Sequence, residues 1–277
     1  LEDKLSNKLR RYLPDKLVYR MARTRNVGFQ MGFFKLARSK PDTIKRLLLS
    51  QVKRQVGPNV DMAHFTPSYN PWDERLCAVP NGDLFKVLRK GKASVVTDHI
   101  ECFTEKGILL KSGAELEADI IVTATGLDMQ LLGGAQLSMD GKPVDIAKSM
   151  NYKGVMFRDL PNFAMVFGYT NASWTLKADI TCEYVCRLLK QMDRKGMRQC
   201  TPRINDASVH EVPFLDFQSG YVQRALSKLP RQGSKAPWKL YQNYALDLAM
   251  LRFGKVDDGV MEFSGSARKP VGRAARA

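Results

Sequence analysis

The run Asp119-Ile120-Ile121-Val122-Thr123-Ala124-Thr125-Gly126 decides how this 277-residue chain is read. Three branched aliphatics in succession, without polar alternation, suit a strand covered on both faces, as in a parallel α/β sheet. Gly126 at its end lets the backbone turn sharply and come close to a ligand, which a side chain would block. Upstream, 100–103 and 107–110 flank Glu105-Lys106 and form a hairpin that feeds the run. A strand at 93–97 and a short helix at 83–90 precede them. Downstream, Phe163-Ala164-Met165-Val166-Phe167 makes a second buried strand at 162–167. It ends at Gly168-Tyr169-Thr170-Asn171-Ala172-Ser173 and opens a long helix over 174–192, with Asn171 or Ser173 as its N-cap. The expected class is therefore α/β.

The first 56 residues read differently. Leu5, Leu9, Leu13, Leu17 and Met21 recur near helical spacing, and Pro14-Asp15 marks a break between two helices. An apolar, aromatic stretch from Phe29 to Leu36 follows, and a third helix starts at Asp42 with Pro41 before it. This segment holds 15 Lys or Arg against 4 Asp or Glu, so +11 of the total net charge of +16 lies in the first fifth. The excess is either a solvated helical face or a surface for anionic lipid headgroups, nucleic acid or a phosphorylated cofactor. Nucleic acid binding calls for exposed aromatics among the basic residues. Here the aromatics cluster with aliphatics, as core residues do, so no nucleic acid is expected. A loop over 64–76, containing Pro67, Tyr69, Pro71, Trp72 and Asp73, is too rich in proline for regular structure and too aromatic to stand free in water.

Several chemistries are excluded by motif. There is no G-x-G-x-x-G, no G-x-x-x-x-G-K-[ST], no G-x-S-x-G and no H-E-x-x-H anywhere in the sequence. No pair of carboxylates suggests acid–base work, and no catalytic residue can be named. Five cysteines without paired spacing read as reduced thiols, and no metal site is expected. No apolar run is long enough to span a bilayer. The charged first residues lack a signal-peptide core, and a start at Leu1 rather than Met is expected of a chain that begins partway through a longer protein.

Three stretches carry a resemblance. The 119–126 run looks like the Ala-Thr-Gly strand end of two-dinucleotide-domain flavoproteins, where it closes the NADPH-binding insert. Residues 160–175, LPNFAMVFGYTNASWT, resemble the last strand of the FAD domain and the helix whose amino end faces the flavin. The loop 64–76 and the residues after it, with YNPWDERLCAVP, resemble the class B flavoprotein monooxygenases, the Baeyer–Villiger and flavin-containing group, and within it the bacterial ethionamide-activating subgroup. The likeness covers residues 1 to about 260.

The resemblance implies an FAD-dependent, NADPH-using monooxygenase that acts with O₂ on a small hydrophobic ketone, sulfur or nitrogen compound. It implies the carboxyl-terminal part only, inactive alone, because the family's pyrophosphate-binding motifs have no counterpart here. Thr125 and Gly126 would lie at the FAD–NADPH junction, and Asn171, Ala172, Ser173 and Trp174 near the flavin. Tyr69, Trp72 and Asp73 would line or brace the active site, or serve packing alone. The expected organisation is 1–126 (helical segment and end of the NADPH domain), 127–260 (FAD-domain part) and a disordered tail at 261–277. The expected location is cytoplasmic, with peripheral attachment to the inner membrane face as an option. The alternative is a basic helical membrane-surface or nucleic-acid-binding module without catalysis.

Overall fold

The computed structural model describes residues 3–266 except 75, 78, 80, 217 and 218. It divides into two compact units between Leu127 and Asp128. The first unit begins with three helices. Helix α1 (Lys4–Leu9) is capped by Asp3, whose carboxylate accepts the Ser6 N–H at 3.1 Å. Pro14 ends this segment, and α2 (Asp15–Ser39) and α3 (Pro41–Val56) follow, the latter with Pro41 in its first turn, where a missing N–H costs nothing. Only Val18 and Ala37 of α2 are fully buried. Phe33 and Phe34 meet Trp72, but Tyr12, Tyr19 and Phe29 are exposed, so the expectation that the aromatics here are core residues holds for part of them only.

A 3₁₀ turn (Met62–Phe65) leads into the proline loop, and α4 (Asp83–Arg89) packs on α3. An antiparallel meander follows: β1 (Ile100–Phe103), β2 (Gly107–Leu110) and β3 (Glu115–Glu117), with Phe103 opposite Ile108 and Ile108 opposite Leu116. Sequence reading foresaw the hairpin and missed β3.

The buried strand expected at 120–124 does not form. Ile120 and Val122 are each 82% exposed, and residues 119–130 are irregular. The stretch at 93–97 is likewise irregular. A strand exists only through a neighbour that takes its backbone hydrogen bonds, and no described residue pairs with either run.

The second unit is built round one helix. Its hairpin β4 (Leu137–Met139) and β5 (Lys142–Val144) turns at Asp140-Gly141, both with positive φ, as a tight hairpin needs. β6 (Asn151–Tyr152) and β7 (Met156–Phe157) form a second small ribbon. The strand expected at 162–167 is also replaced, by an irregular segment with one isolated bridge, Ala164 to Met156.

Helix α5 (Trp174–Lys195) buries Leu176, Lys177, Ile180, Thr181, Tyr184, Leu188 and Met192, a stripe at steps of three and four. Against it pack Met150, Tyr152, Val155, Met156, Trp238, Leu251 and Met261. Then come β8 (Met197–Pro202), β9 (Glu211–Pro213), α6 (Gly220–Ala225), β10 (Arg231–Gly233) and α7 (Tyr244–Leu248), which runs into a π-helical turn at Ala249–Phe253. The tail expected to be disordered from 261 starts instead as β11 (Met261–Ser266), paired antiparallel with β8. Residues 267–277 of that expectation lie outside the described ones. Every named sheet is antiparallel, so the chain's α/β character shows in its mixture of elements rather than in a parallel sheet of its own.

Candidate functional site

The expected site residues fall into three groups. In the first unit, the proline loop is fastened to α2 and α3. Lys45 Nζ donates to the carbonyls of Pro67 at 2.6 Å and Tyr69 at 3.1 Å. Trp72 stands edge-on to Phe33 at 5.5 Å and to Phe34 at 5.7 Å. Its φ of +68° is rare for a bulky residue and is held by that packing. Asp73 bonds Arg38 at 2.6 Å through one oxygen and accepts the Asn70 N–H at 3.1 Å through the other. Trp72 and Asp73 thus brace the loop, while the Tyr69 side chain is exposed.

Thr125 and Gly126, the second group, are exposed on the irregular strip after β3, with Gly126 at φ +127°.

The third group is the turn before α5. Gly168 is covered by the Trp174 ring: a Cβ there would come within 2.2 Å of it, so no other residue fits without moving the indole. Trp174 also leans on Phe167 at 5.8 Å and remains half exposed. Ser173 occupies the N-cap position, but its hydroxyl pairs with that of Thr175 at 2.8 Å, and no side chain caps the helix. The first turn of α5 has no acidic residue. A 22-residue helix therefore presents an uncapped, electropositive end beside Ala172, Ser173 and Trp174, which fits a ligand bearing negative charge such as a reduced flavin. Asn171 is turned the other way, donating from Nδ2 to the Gln242 carbonyl at 3.0 Å.

Sequence reading missed the polar groups beneath this turn. Lys177 and Asp247, each 1% exposed, form an ion pair at 3.0 Å, and the Tyr169 hydroxyl donates to the same carboxylate oxygen at 2.7 Å. Burial pushes the Lys177 ammonium below its ordinary value, against the pull of Asp247. Burial, then the Asp247 charge, pushes the Tyr169 phenol well up, so it stays a donor. One signal was available: Lys177 sits in register with Thr181, Tyr184 and Leu188 on the buried stripe, where a lysine needs a partner. Nothing local pointed to Asp247, 70 residues on. Among the described residues no cluster of His, Cys, Asp and Glu could hold a metal, and the five cysteines are free. No described helix is long and apolar enough to cross a membrane.

No family model matches the sequence. Individual proteins do. The chain is 50% identical over 262 residues to the probable FAD-binding monooxygenase AlmA of Acinetobacter baylyi, covering 94% of this chain and 53% of that protein. It is 52% identical over 267 residues to the putative FAD-containing monooxygenase MymA of Mycobacterium tuberculosis, with 96% and 54% covered. It is 49% identical over 265 residues to the FAD-containing monooxygenase EthA of Mycolicibacterium smegmatis, with 95% and 54% covered. Among solved structures, that of OTEMO complexed with FAD and NADP superposes with a TM-score of 0.52 at 15% identity, over 83% of this chain and 46% of that one, which speaks for the fold. The chain spans about half the length of the curated relatives it matches, and along that span it is a homologue of the FAD-containing monooxygenases.

Proposed function

We propose that this chain supplies the carboxyl-terminal part of a monooxygenase that uses FAD and NADPH to place one atom of O₂ on a ketone carbon framework or on a sulfur or nitrogen centre. The observation that carries this reading is identity near one half, sustained along 94–98% of the chain, to proteins named as FAD-binding or FAD-containing monooxygenases. The flavin would supply the oxygen chemistry; the protein's part is to bind, orient and exclude water. In this reading Asn171, Ala172, Ser173 and Trp174 bring the uncapped end of α5 to the flavin, with Trp174 shielding it from solvent. Thr125 and Gly126 lie where the NADPH and FAD regions join, which divides the chain into 1–126 and 127–260. Tyr69, Trp72 and Asp73 shape the ground beside a small hydrophobic substrate.

The test is the visible absorbance of the full-length protein after incubation with FAD and desalting, followed by NADPH-dependent O₂ uptake with a panel of ketones and sulfides. Retained flavin and substrate-stimulated uptake are expected of the full-length protein, and neither of residues 1–277 alone, which contain no G-x-G-x-x-G. A full-length protein that stays colourless would sink the reading.

A second, compatible reading concerns the first three helices. Tyr12, Leu17, Tyr19, Met21 and Phe29 are exposed among the basic residues. A bilayer with anionic headgroups uses exposed aliphatic and aromatic groups together with positive charge, whereas nucleic acid has no use for the aliphatics. Peripheral attachment at the inner membrane face is tested by cosedimentation with phosphatidylglycerol vesicles, and binding that is lost with phosphatidylcholine vesicles is expected.

A further inference from the structure

We infer that Gln242 and the buried Lys177–Asp247 pair are positioning residues that hold the turn at 169–171 so that Ala172, Ser173 and Trp174 stand open to the flavin. The inference rests on the assignment of the flavin to that turn.

Three consecutive residues of the turn are bonded to one short stretch, 242–247. Tyr169 donates through its hydroxyl to Asp247 at 2.7 Å. Thr170 donates its backbone N–H to Gln242 Oε1 at 2.9 Å, and its hydroxyl lies 3.3 Å from the same oxygen. Asn171 donates to the Gln242 carbonyl at 3.0 Å. Gln242 itself has φ +50°, a conformation that a non-glycine residue keeps only when its surroundings hold it there. The clamp stops at Asn171. Beyond it Ser173 bonds only locally, to Thr175, and Ser173 and Trp174 are exposed.

Lys177 sets the depth of this clamp. Its Nζ also lies 3.5 Å from the Lys153 carbonyl, over Gly154, where a Cβ would come within 2.8 Å of the ammonium. Burying an ion pair yields little more stability than a well-packed apolar pair of the same volume. What the pair adds is direction: one carboxylate oxygen receives both the α5 lysine and the Tyr169 hydroxyl, which ties the turn, α5 and α7 in one geometry.

The same unit contains a matched control. Lys153 and Asp258 pair at 2.8 Å, and Tyr152 donates to Asp258 at 2.7 Å, so the Lys–Asp–Tyr chemistry is repeated. Their other side-chain bonds go to the Tyr184 hydroxyl, the Lys255 carbonyl and the N–H groups of Val260 and Met261, and none goes to 169–171; only the Lys153 backbone carbonyl meets Lys177.

The experiment compares Gln242→Leu, Gln242→Glu, Asp247→Asn and Asp258→Asn in the full-length enzyme, reading visible circular dichroism of the bound flavin, FAD dissociation constant and thermal midpoint. Gln242→Leu is expected to change the flavin spectrum and weaken FAD binding about tenfold, the worth of one to two hydrogen bonds. Gln242→Glu keeps the acceptor for Thr170 and is expected to restore both. Asp258→Asn is expected to lower the thermal midpoint with the flavin spectrum unchanged. Should Asp247→Asn fail to fold, the Gln242 pair alone decides. A parent enzyme with flavin whose spectrum and affinity survive Gln242→Leu, or move equally in Asp258→Asn, overturns the inference alone. A parent without flavin overturns the function it rests on.

Discussion

The core round α5 and the strip after β3 are made of the same kinds of residue and meet opposite fates. Ile180, Tyr184 and Leu188 are buried beneath Met150, Tyr152, Trp238 and Leu251. Ile120 and Val122 stand in solvent. The difference is not hydrophobicity but who supplies the partner. A helix satisfies its own backbone and needs only side chains to cover one stripe. A strand needs a neighbouring strand before its side chains can be covered at all. Antiparallel neighbours arrive through a tight turn, as in β1–β2 and β4–β5, whereas parallel neighbours come from a dozen or more residues away.

The largest break in this comparison should come from the core. Trp238→Ala removes a ring that is 1% exposed and stacked edge-on against Tyr152 at 5.5 Å, and is expected to cost about 3–5 kcal/mol in urea unfolding. A cost below about 1 kcal/mol would mean that the second unit is not held by this core.

Asp258 gives a pH-dependent version. Burial pushes its carboxyl up, but the bonds from Lys153 and Tyr152, with the Lys153 charge and the Met261 N–H, outweigh it and hold it below the ordinary 3.8. A carboxyl lowered in the folded state contributes stability that is complete above its unfolded value and is lost as pH falls through the folded one. Melting temperature should therefore drop as pH falls below about 4, by less in Asp258→Asn than in the parent. Equal acid sensitivity in both would remove Asp258 as a cause.

In the first unit, Trp72→Ala is expected to cost about 1–3 kcal/mol through its two aromatic neighbours, less than in the deeper core, and to raise proteolysis in the 64–76 loop. Smallest of all, Val122→Ala should change the stability of this chain by less than about 0.5 kcal/mol, since the side chain is already in water. In the full-length enzyme proposed above, the same change should cost about 1–2 kcal/mol, because a paired and covered strand would then lose two buried methyl groups. Equal costs in both would mean that the run stays uncovered.

Much of the local structure was legible. Pro14 and Pro41 divide the first helices where proline chemistry requires it, the hairpin of 100–103 and 107–110 forms, and α5 starts at the expected Trp174 and runs three residues past the expected end. The candidate site was legible only as a set of positions. Ser173 was correctly placed at the start of α5, yet its hydroxyl turns to Thr175 instead of capping the helix, and Asn171 turns to Gln242. Trp72 and Asp73 were read as lining or bracing an active site or as packing alone; the structure shows Trp72 packed on Phe33 and Phe34 and Asp73 paired with Arg38, which fastens the loop.

The sequence by itself determined whatever depends on neighbours within a turn or two: helix limits, tight turns, the basic bias of residues 1–56 and the motifs that resemble a flavoprotein monooxygenase. Tertiary structure alone decided which apolar runs are covered and which polar groups meet. The reason is physical. Helix and turn propensities are settled by bonds between residues three or four apart. The Lys177–Asp247–Tyr169 cluster joins residues up to 78 positions apart, and β11 finds β8 some 60 residues earlier, so both exist only once packing has brought those segments together.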